Sequence, residues 1–221
     1  MLTVACIETG NYEGRGEEYV RRLKDAVEAH LPVRHRFVCI TDRPAYEPIK
    51  DVDGEDVDTD MHDSGFPGWW QKVSLFAPGR FTEGRVLYFD LDTIIRGDLS
   101  PLAGYSGEYA TLRDVWRPEL GQTAVVAWRA GYGGHICDAA LERLRDHGLD
   151  PKDRADPLIS RLTPDREHLQ DLFPGMFKSY KAEARDHGPG NAAVIFCHGR
   201  PRPHELPEEG WARRAWEAMR A

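Results

Sequence analysis

Two aspartates separated by one leucine, Asp90 and Asp92, are the first residues whose types and spacing could do chemistry. They follow the apolar run 86–89, which is typical of a buried strand, and open α/β sheets bind ligands at the carboxyl ends of their strands. Carboxylates at positions i and i+2 can converge on one side while Leu91 turns into the core. Such oxygen donors suit Mg²⁺ or Mn²⁺, whose remaining positions are commonly filled by substrate phosphates. A pair of turn-stabilising aspartates is the alternative, and the motif by itself leaves both open.

Three further Asp-x-Asp pairs, at 51/53, 56/58 and 58/60, show how little the spacing decides. They lie in a polar segment with no strand before them, so we interpret them as a solvated acidic surface. A calcium-binding EF-hand loop is excluded there, because it needs glycine at its sixth position and an acidic ligand at its twelfth. Counted from Asp51, Gly54 is fourth and the twelfth residue is His62.

A third candidate ligand, His198, follows the apolar run 193–197 and therefore also stands at a strand end. A lone histidine is more often a hydrogen-bonded structural residue. The neighbouring residues favour a ligand here, because Gly199 lets a backbone approach closely and Arg200 and Arg202 could hold phosphate. An imidazole added to two carboxylates favours Mn²⁺ over Mg²⁺.

The elements that must position these residues are those of an α/β sheet. Residues 2–8 and 36–41 are apolar, strand-like runs, and residues 16–31 between them repeat apolar positions at helical spacing. A strand–helix–strand opening predicts a parallel pair of strands with a right-handed crossover. An irregular loop over 45–66 and a helix over 69–76 then lead to the strand 85–90.

The rest of the chain continues the alternation of strands and helices. We expect strands at 108–112, 124–128, 177–181 and 192–197, and helices at 136–145, 157–162 and 211–219. Neither an internal repeat nor a Ser/Gly linker divides the chain, and about 200 residues are enough for one sizeable core. The sequence therefore predicts an α/β fold in one domain over 1–221, with a single Rossmann-like mixed sheet flanked by helices.

Composition narrows the classes of function. The 221 residues carry a formal net charge of −8 without a basic stripe, so we expect no nucleic-acid partner. No apolar run approaches the ~20 residues of a membrane helix, and no export signal precedes the first strand. We therefore expect a cytoplasmic protein without a transmembrane segment. The four cysteines form no C-x-x-C pair, which favours buried, reduced thiols.

Two segments, RVLYFDLDTIIRGDLSPL at 85–102 and VIFCHGRPRPHEL at 194–206, resemble retaining glycosyltransferases of the GT-A fold. The resemblance is to the family-8 type, which includes glycogenin and the lipopolysaccharide galactosyltransferases, and particularly to its bacterial and phage members. It implies metal-dependent transfer of a sugar, with retention, from a nucleotide-diphosphate sugar such as a UDP-hexose. The acceptor would be a glycan, a lipid or a protein. The donor would bind mainly to residues 1–100, and residues 101–221 would form the acceptor and closing part.

The resemblance also implies the donor site. Three side chains would bind Mn²⁺ or Mg²⁺ together with the diphosphate: Asp90, Asp92 and His198. Arg202 matches the family's closing lysine, which touches the diphosphate, and Gly199 belongs to the same segment. Lys72 matches a basic residue that faces the donor phosphates or sugar. Tyr12, in a turn after the first strand, would lie against the uracil ring.

The residues that the resemblance implies for catalysis come from three segments. Gln122 stands in the asparagine position of an Asn-Ser-Gly-Val-like segment that lines the donor-sugar site. Asp156 stands where the family has a Gly-Asp-Gln-like stretch near the anomeric carbon. With Asp92, they form the implied catalytic set.

Two other functions stay open. The stretch Asp90-Leu-Asp-Thr-Ile94 fits the first motif of haloacid-dehalogenase-like phosphatases, in which Asp90 would be the nucleophile and Asp92 the general acid. That motif normally opens the chain, and no later Lys plus Asp-Asp pair is visible. A non-catalytic module that binds a nucleotide sugar is the other alternative, because the match at 154–157 is poor.

Overall fold

The computed structural model describes residues 1–43, 49–50, 53, 55–61 and 65–219. The loop expected over 45–66 lies partly outside these residues, as do Asp51, Gly54 and His62. Within the described ranges no helix combines the length and the apolar character needed to cross a bilayer.

The strands of the described residues form a seven-stranded mixed sheet and a smaller three-stranded sheet. In chain order they are β1 (Leu2–Glu8), β2 (His35–Thr41), β3 (Thr59–Met61), β4 (Arg85–Phe89), β5 (Thr93–Ile95), β6 (Tyr109–Arg113), β7 (Gly121–Arg129), β8 (Glu167–His168), β9 (Phe177–Ser179) and β10 (Val194–Phe196). The large sheet has the order β3-β2-β1-β4-β7-β6-β8 and the small one the order β5-β10-β9.

The helices fill the connections between these strands. They are α1 (Gly16–His30), α2 (Ser100–Ala103), α3 (Gly134–His147), α4 (Asp156–Leu162), α5 (Leu169–Leu172), α6 (Arg185–His187) and α7 (Trp211–Glu217). Three 3-10 helices, Gly10–Gly14, Gly68–Phe76 and Pro203–Glu205, and one π-helix, Tyr180–Ala184, complete the described elements.

Strand pairing confirms the parallel opening. β1 pairs in parallel with β2 on one side and with β4 on the other, so β1 and β4 end at the same edge of the sheet. β7 then pairs antiparallel with β4, which makes the sheet mixed and brings the start of β7 to that edge. One more backbone bond, from the amide of Asp90 to the carbonyl of Ala124 at 2.8 Å, carries this pairing past the end of β4.

Both faces of the large sheet are buried, as the apolar character of its strands requires. Along β4, Leu87 and Phe89 belong to the core layer that contains α1 and α7, whereas Val86 and Tyr88 face the layer that contains α3 and the 3-10 helix Gly68–Phe76. This alternation turns Leu91 into the first layer, as expected, with 4% of its surface exposed.

Several local details differ from the sequence-based expectations. The helix expected over 69–76 is the 3-10 helix Gly68–Phe76, and the strand expected over 177–181 is only β9 before the π-helix begins. β3 lies within the span expected as a loop, and the three-stranded sheet was not anticipated. Two of its strands, β9 and β10, lie within expected strands, whereas the three-residue β5 is too short for a clear periodicity. The four cysteines are buried and free, as predicted.

Candidate active site

A cleft of about 670 Å³ opens at the edge where β1 and β4 end. It is lined by every residue that the sequence analysis assigned to the site: Tyr12, Lys72, Asp90, Asp92, Gln122, Asp156, His198, Gly199 and Arg202. These residues come from segments far apart in the chain. They meet because β1, β4 and β10 all end near this cleft, and the residues that follow each strand line it.

Asp90 is held by two partners. Its Oδ2 lies 2.7 Å from the ammonium of Lys72, and its Oδ1 accepts a hydrogen bond from the hydroxyl of Tyr88 at 2.6 Å. Tyr88 precedes Asp90 by two residues, so both side chains project from the same face of the strand. The carboxylate therefore has a fixed orientation at the floor of the cleft.

Asp92 is the less neutralised of the two aspartates. Its side chain is 9% exposed. Burial, and then the negative charge of Asp90, raise its pKa to about 7, against the opposing charges of Lys72 and Arg202. The positive charge nearby therefore does not fully neutralise Asp90 and Asp92. A divalent cation bound between them would supply the missing charge.

Lys72 supplies the fixed positive charge of the site. Its ammonium lies 2.7 Å from Asp90 and donates to the carbonyl of Thr123 at 3.3 Å. Burial alone would lower the pKa of Lys72, but the carboxylates of Asp90 and Asp156 outweigh it and the pKa is raised. The side chain is therefore a cation at neutral pH.

Asp156 is saturated by partners inside the protein. Its Oδ1 accepts from the amide and the hydroxyl of Thr123 at 3.0 and 2.5 Å, and its Oδ2 accepts from two guanidinium nitrogens of Arg154 at 2.9 and 2.6 Å. Burial opposes ionisation, but the charges of Lys72 and Arg154 outweigh it and lower the pKa. The carboxylate ties the first residue of α4 to β7, close to Gln122.

Gln122 contributes an unsatisfied buried polar atom to the cleft wall. Its side chain is 7% exposed, and its Oε1 is buried with no hydrogen-bond partner among the described residues. A buried acceptor without a donor costs about 1–3 kcal/mol, so such groups usually hydrogen-bond to protein, water or a ligand. In a ligand cleft, that partner would be a hydroxyl or amide of the ligand.

His198 reaches the cleft beside β9. Its Nε2 shares a hydrogen bond of 2.9 Å with the hydroxyl of Ser179, the last residue of β9. Burial, followed by the positive charges of Lys181 and Arg154, lowers the pKa of the imidazole, so it is neutral at pH 7. A neutral imidazole is the form that binds metals.

Metal ligation by Asp90, Asp92 and His198 is chemically consistent but needs movement. Two carboxylates and a neutral imidazole form an appropriate donor set, and the raised pKa of Asp92 reflects a local shortage of positive charge. Their ligand atoms do not all lie within 4.8 Å of one another. In the described part of the chain, that condition is met only by Glu13, His204 and Glu205. To hold one ion together, the ligand atoms of Asp90, Asp92 and His198 would have to move closer to one another.

The segment after β10 covers the aromatic ring expected to face a base. The guanidinium of Arg202 lies 4.1 Å from the ring centroid of Tyr12, and Arg200 forms ion pairs with Glu13, at 2.6 Å, and with Glu205. Tyr12 and Glu13 have positive φ angles of 40° and 61°, a region that residues with side chains rarely adopt. A base stacked on Tyr12 would have to displace Arg202.

The remaining Asp-x-Asp aspartates lie apart from the cleft, as interpreted from the sequence. Three of the described ones pair with basic side chains: Asp56 with Lys50, Asp58 with Arg36 at 2.8 Å and Asp60 with Arg80 at 2.5 Å. Asp51 falls outside the described residues.

Sequence reasoning missed some residues of the cleft. Arg154, which fixes Asp156, was read only as part of a weakly matching stretch, and Tyr88, which fixes Asp90, only as part of a strand. An i, i+2 spacing could have suggested both contacts. Gln71, which lines the cleft, carried no signal in the sequence.

Comparison with known proteins identifies the fold. The chain matches no protein-family model and no curated protein sequence. Its structure is similar to the galactosyltransferase LgtC in complex with donor and acceptor sugar analogues, with a TM-score of 0.73 and 14% identity over 98% of this chain and 95% of LgtC. The chain has the GT-A fold.

A second similar structure is the apo form of the glycosyltransferase GlyE from Streptococcus pneumoniae TIGR4. The TM-score is 0.71 at 16% identity, over 98% of this chain and 59% of GlyE. The chain thus spans about three fifths of GlyE. The α/β fold class predicted from the sequence, a mixed sheet flanked by helices in the GT-A arrangement, is confirmed.

Proposed function

We propose that the chain is a metal-dependent glycosyltransferase that moves a hexose from a nucleotide-diphosphate sugar, a UDP-sugar by preference, to an acceptor with retention of configuration. It would act as one domain, with the donor bound mainly by residues 1–100 and the acceptor by residues 101–221. The observation that carries the proposal is the convergence on one cleft of an Asp-x-Asp pair, a histidine and two basic side chains, in a fold shared with glycosyltransferases.

The proposed metal ligands are Asp90, Asp92 and His198, and the ion would be Mn²⁺ or Mg²⁺. When bound, such an ion stabilises the negative charge that develops on the departing diphosphate. The shortage of positive charge around the two aspartates supports this assignment.

The protein's own residues would act on the donor in distinct ways. Lys72 and Arg202 would place positive charge beside the diphosphate, each lowering the barrier by about 3 kcal/mol if it is fixed in a closed cleft. The unpaired Oε1 of Gln122 would accept a hydrogen bond from a hydroxyl of the donor sugar. Asp156 would keep the start of β7, and with it Gln122, in position through Thr123.

The test is release of UDP from UDP-glucose and UDP-galactose, with Mn²⁺, with Mg²⁺ and with a chelator. We expect turnover that requires the cation, and a loss of about 100-fold or more in Asp92→Asn, on the scale of other electrostatic contacts in active sites. The unfolding free energy of that variant should stay within about 1 kcal/mol of wild type. Asp58→Asn is the matched control, because Asp58 belongs to a surface pair and is 57% exposed. Undiminished turnover in Asp92→Asn would defeat the assignment.

A donor-binding module without transfer activity is the second candidate. It is favoured by Asp156, whose carboxylate oxygens are both engaged inside the protein rather than free for a substrate. Tight Mn²⁺-dependent binding of UDP-sugars, with neither hydrolysis nor transfer, would establish that function. Hydrolysis of p-nitrophenyl phosphate, assayed in parallel, would instead support the phosphatase alternative for Asp90 and Asp92.

A further inference from the structure

Trp69 is a large, solvent-exposed aromatic side chain on the cleft wall. It is 55% exposed and lines the cleft, and among the described residues no hydrogen bond or ring contact engages it. Singly exposed aromatic residues are common on protein surfaces, so the exposure alone means little. Its place inside the cleft and its fixed position carry more weight.

The backbone on either side of Trp69 is held firmly. Gly68 has φ +53°, and a Cβ there would lie 2.3 Å from the carbonyl oxygen of Pro151, so the helix begins in close contact with that segment. The next residue, Trp70, is 3% exposed and donates its ring N–H to the carbonyl of Asp150 at 3.1 Å. The Trp69 ring is therefore presented from a rigid support rather than from a free loop.

Helix geometry places this ring next to the proposed donor site. Residues i and i+3 eclipse each other in a 3-10 helix, so Trp69 and Lys72 share one face of the helix Gly68–Phe76. Lys72 in turn lies 2.7 Å from Asp90. Gln71, which pairs with the hydroxyl of Thr9, and the guanidinium of Arg154 add polar groups to the same wall.

A flat apolar surface with polar groups around it fits one chemical class well. A pyranose ring has an apolar C–H face and a rim of hydroxyl groups, so it can stack on an indole while its rim forms hydrogen bonds. We propose that Trp69 is the platform on which a pyranose ring of a carbohydrate acceptor stacks. This inference rests on the proposed function, narrows its acceptor to a glycan, and adds one residue of the segment 1–100 to the acceptor-binding part.

Transfer of the sugar to the stacked acceptor forms one bond and breaks another. A hydroxyl oxygen of the stacked acceptor bonds to the anomeric carbon of the donor sugar. The bond from that carbon to the diphosphate oxygen breaks, its electron pair stays with the diphosphate, and the hydroxyl proton passes to the leaving diphosphate.

The experiment is a binding titration that does not depend on turnover. Saturation-transfer NMR would measure binding of methyl glucoside, methyl galactoside, maltose and lactose, with UDP and Mn²⁺ present. We expect at least one of these sugars to bind, about tenfold more weakly to Trp69→Ala, which corresponds to about 1.4 kcal/mol. Trp69→Phe should retain most of the affinity. Trp116→Ala is the matched control, because Trp116 is 66% exposed but does not line the cleft.

Three results would overturn the inference: none of the four sugars binds wild type, Trp69→Ala binds them as well as wild type does, or the variant loses as much affinity for UDP as for the sugars. The last result would make the indole a platform for a nucleobase. Hydrolysis of UDP-sugars without an acceptor, measured on the same protein preparations, separates this test from that of the proposed function. Sugar binding that depends on Trp69 supports the platform even if no donor is hydrolysed, whereas hydrolysis without sugar binding refutes the platform alone.

Discussion

Replacing Lys72 by methionine removes the positive charge beside Asp90 and keeps most of the side-chain volume. The ammonium and the carboxylate lie 2.7 Å apart, and each side chain is 20% exposed. Two unit charges 4 Å apart attract each other by about 4 kcal/mol at an effective dielectric constant near 20. Partial exposure to water reduces this, so we expect Lys72→Met to lower the unfolding free energy by about 2–3 kcal/mol without a metal.

Manganese should offset that loss. In wild type an ion at the proposed site would compete with the ammonium of Lys72 for Asp90, whereas in the variant the carboxylate lacks this counter-charge. If the variant binds Mn²⁺ about tenfold more tightly, saturating Mn²⁺ raises its stability by about 1.4 kcal/mol more than that of wild type. Donor turnover should nevertheless fall, since the proposed contact of Lys72 with the donor is gone.

Urea unfolding at pH 7, with and without Mn²⁺, measures both effects. Lys50→Met is the control, because its partner Asp56 and Lys50 itself are 63% and 45% exposed and such a pair contributes about 0–1 kcal/mol. Equal stability of Lys72→Met and wild type, together with equal stabilisation by Mn²⁺, would refute the view of Lys72 as the counter-charge of Asp90.

Two further predictions concern Gln122 and Asp156. Gln122→Leu should raise stability by up to about 1 kcal/mol in urea unfolding, because it removes a buried acceptor without a partner, and yet lower donor hydrolysis; a fall in both would indicate a structural glutamine. Asp156→Asn should cost about 2 kcal/mol at pH 7. Because the folded-state pKa of Asp156 lies below its ordinary value, this contribution is present above about pH 4 and disappears as the pH falls through the folded-state pKa. A difference between wild type and Asp156→Asn that does not shrink at low pH would contradict the ionised carboxylate.

The main elements of the fold could be predicted because local patterns encode them. The apolar runs of β1, β2 and β4 and the helical spacing in α1 predicted a parallel sheet, and that order puts Asp90 at a ligand-binding edge. His198 reaches the same cleft because it follows the end of β10. The arrangement of β5, β9 and β10 could not be predicted, because pairing between three-residue strands depends on contacts far apart in sequence.

The contacts among the site residues were harder to predict than which residues belong to the site. Nothing local to Lys72 or Asp90 indicates that they pair, or that the imidazole of His198 hydrogen-bonds to Ser179. These contacts depend on side-chain rotamers at the meeting point of distant segments, where electrostatics and packing choose among several arrangements. Likewise, the contact between Arg202 and Tyr12 follows from the path of the chain after β10.

The location of a bound manganese ion tests the central claim most directly. Anomalous scattering at the manganese edge, from crystals grown with MnCl₂ and UDP, would locate the ion without reference to activity. We expect one ion within bonding distance of Asp90, Asp92 and His198, with the diphosphate of UDP beside it. An ion bound instead by Glu13, His204 and Glu205, the other donor group in the described part of the chain, would contradict the proposed site.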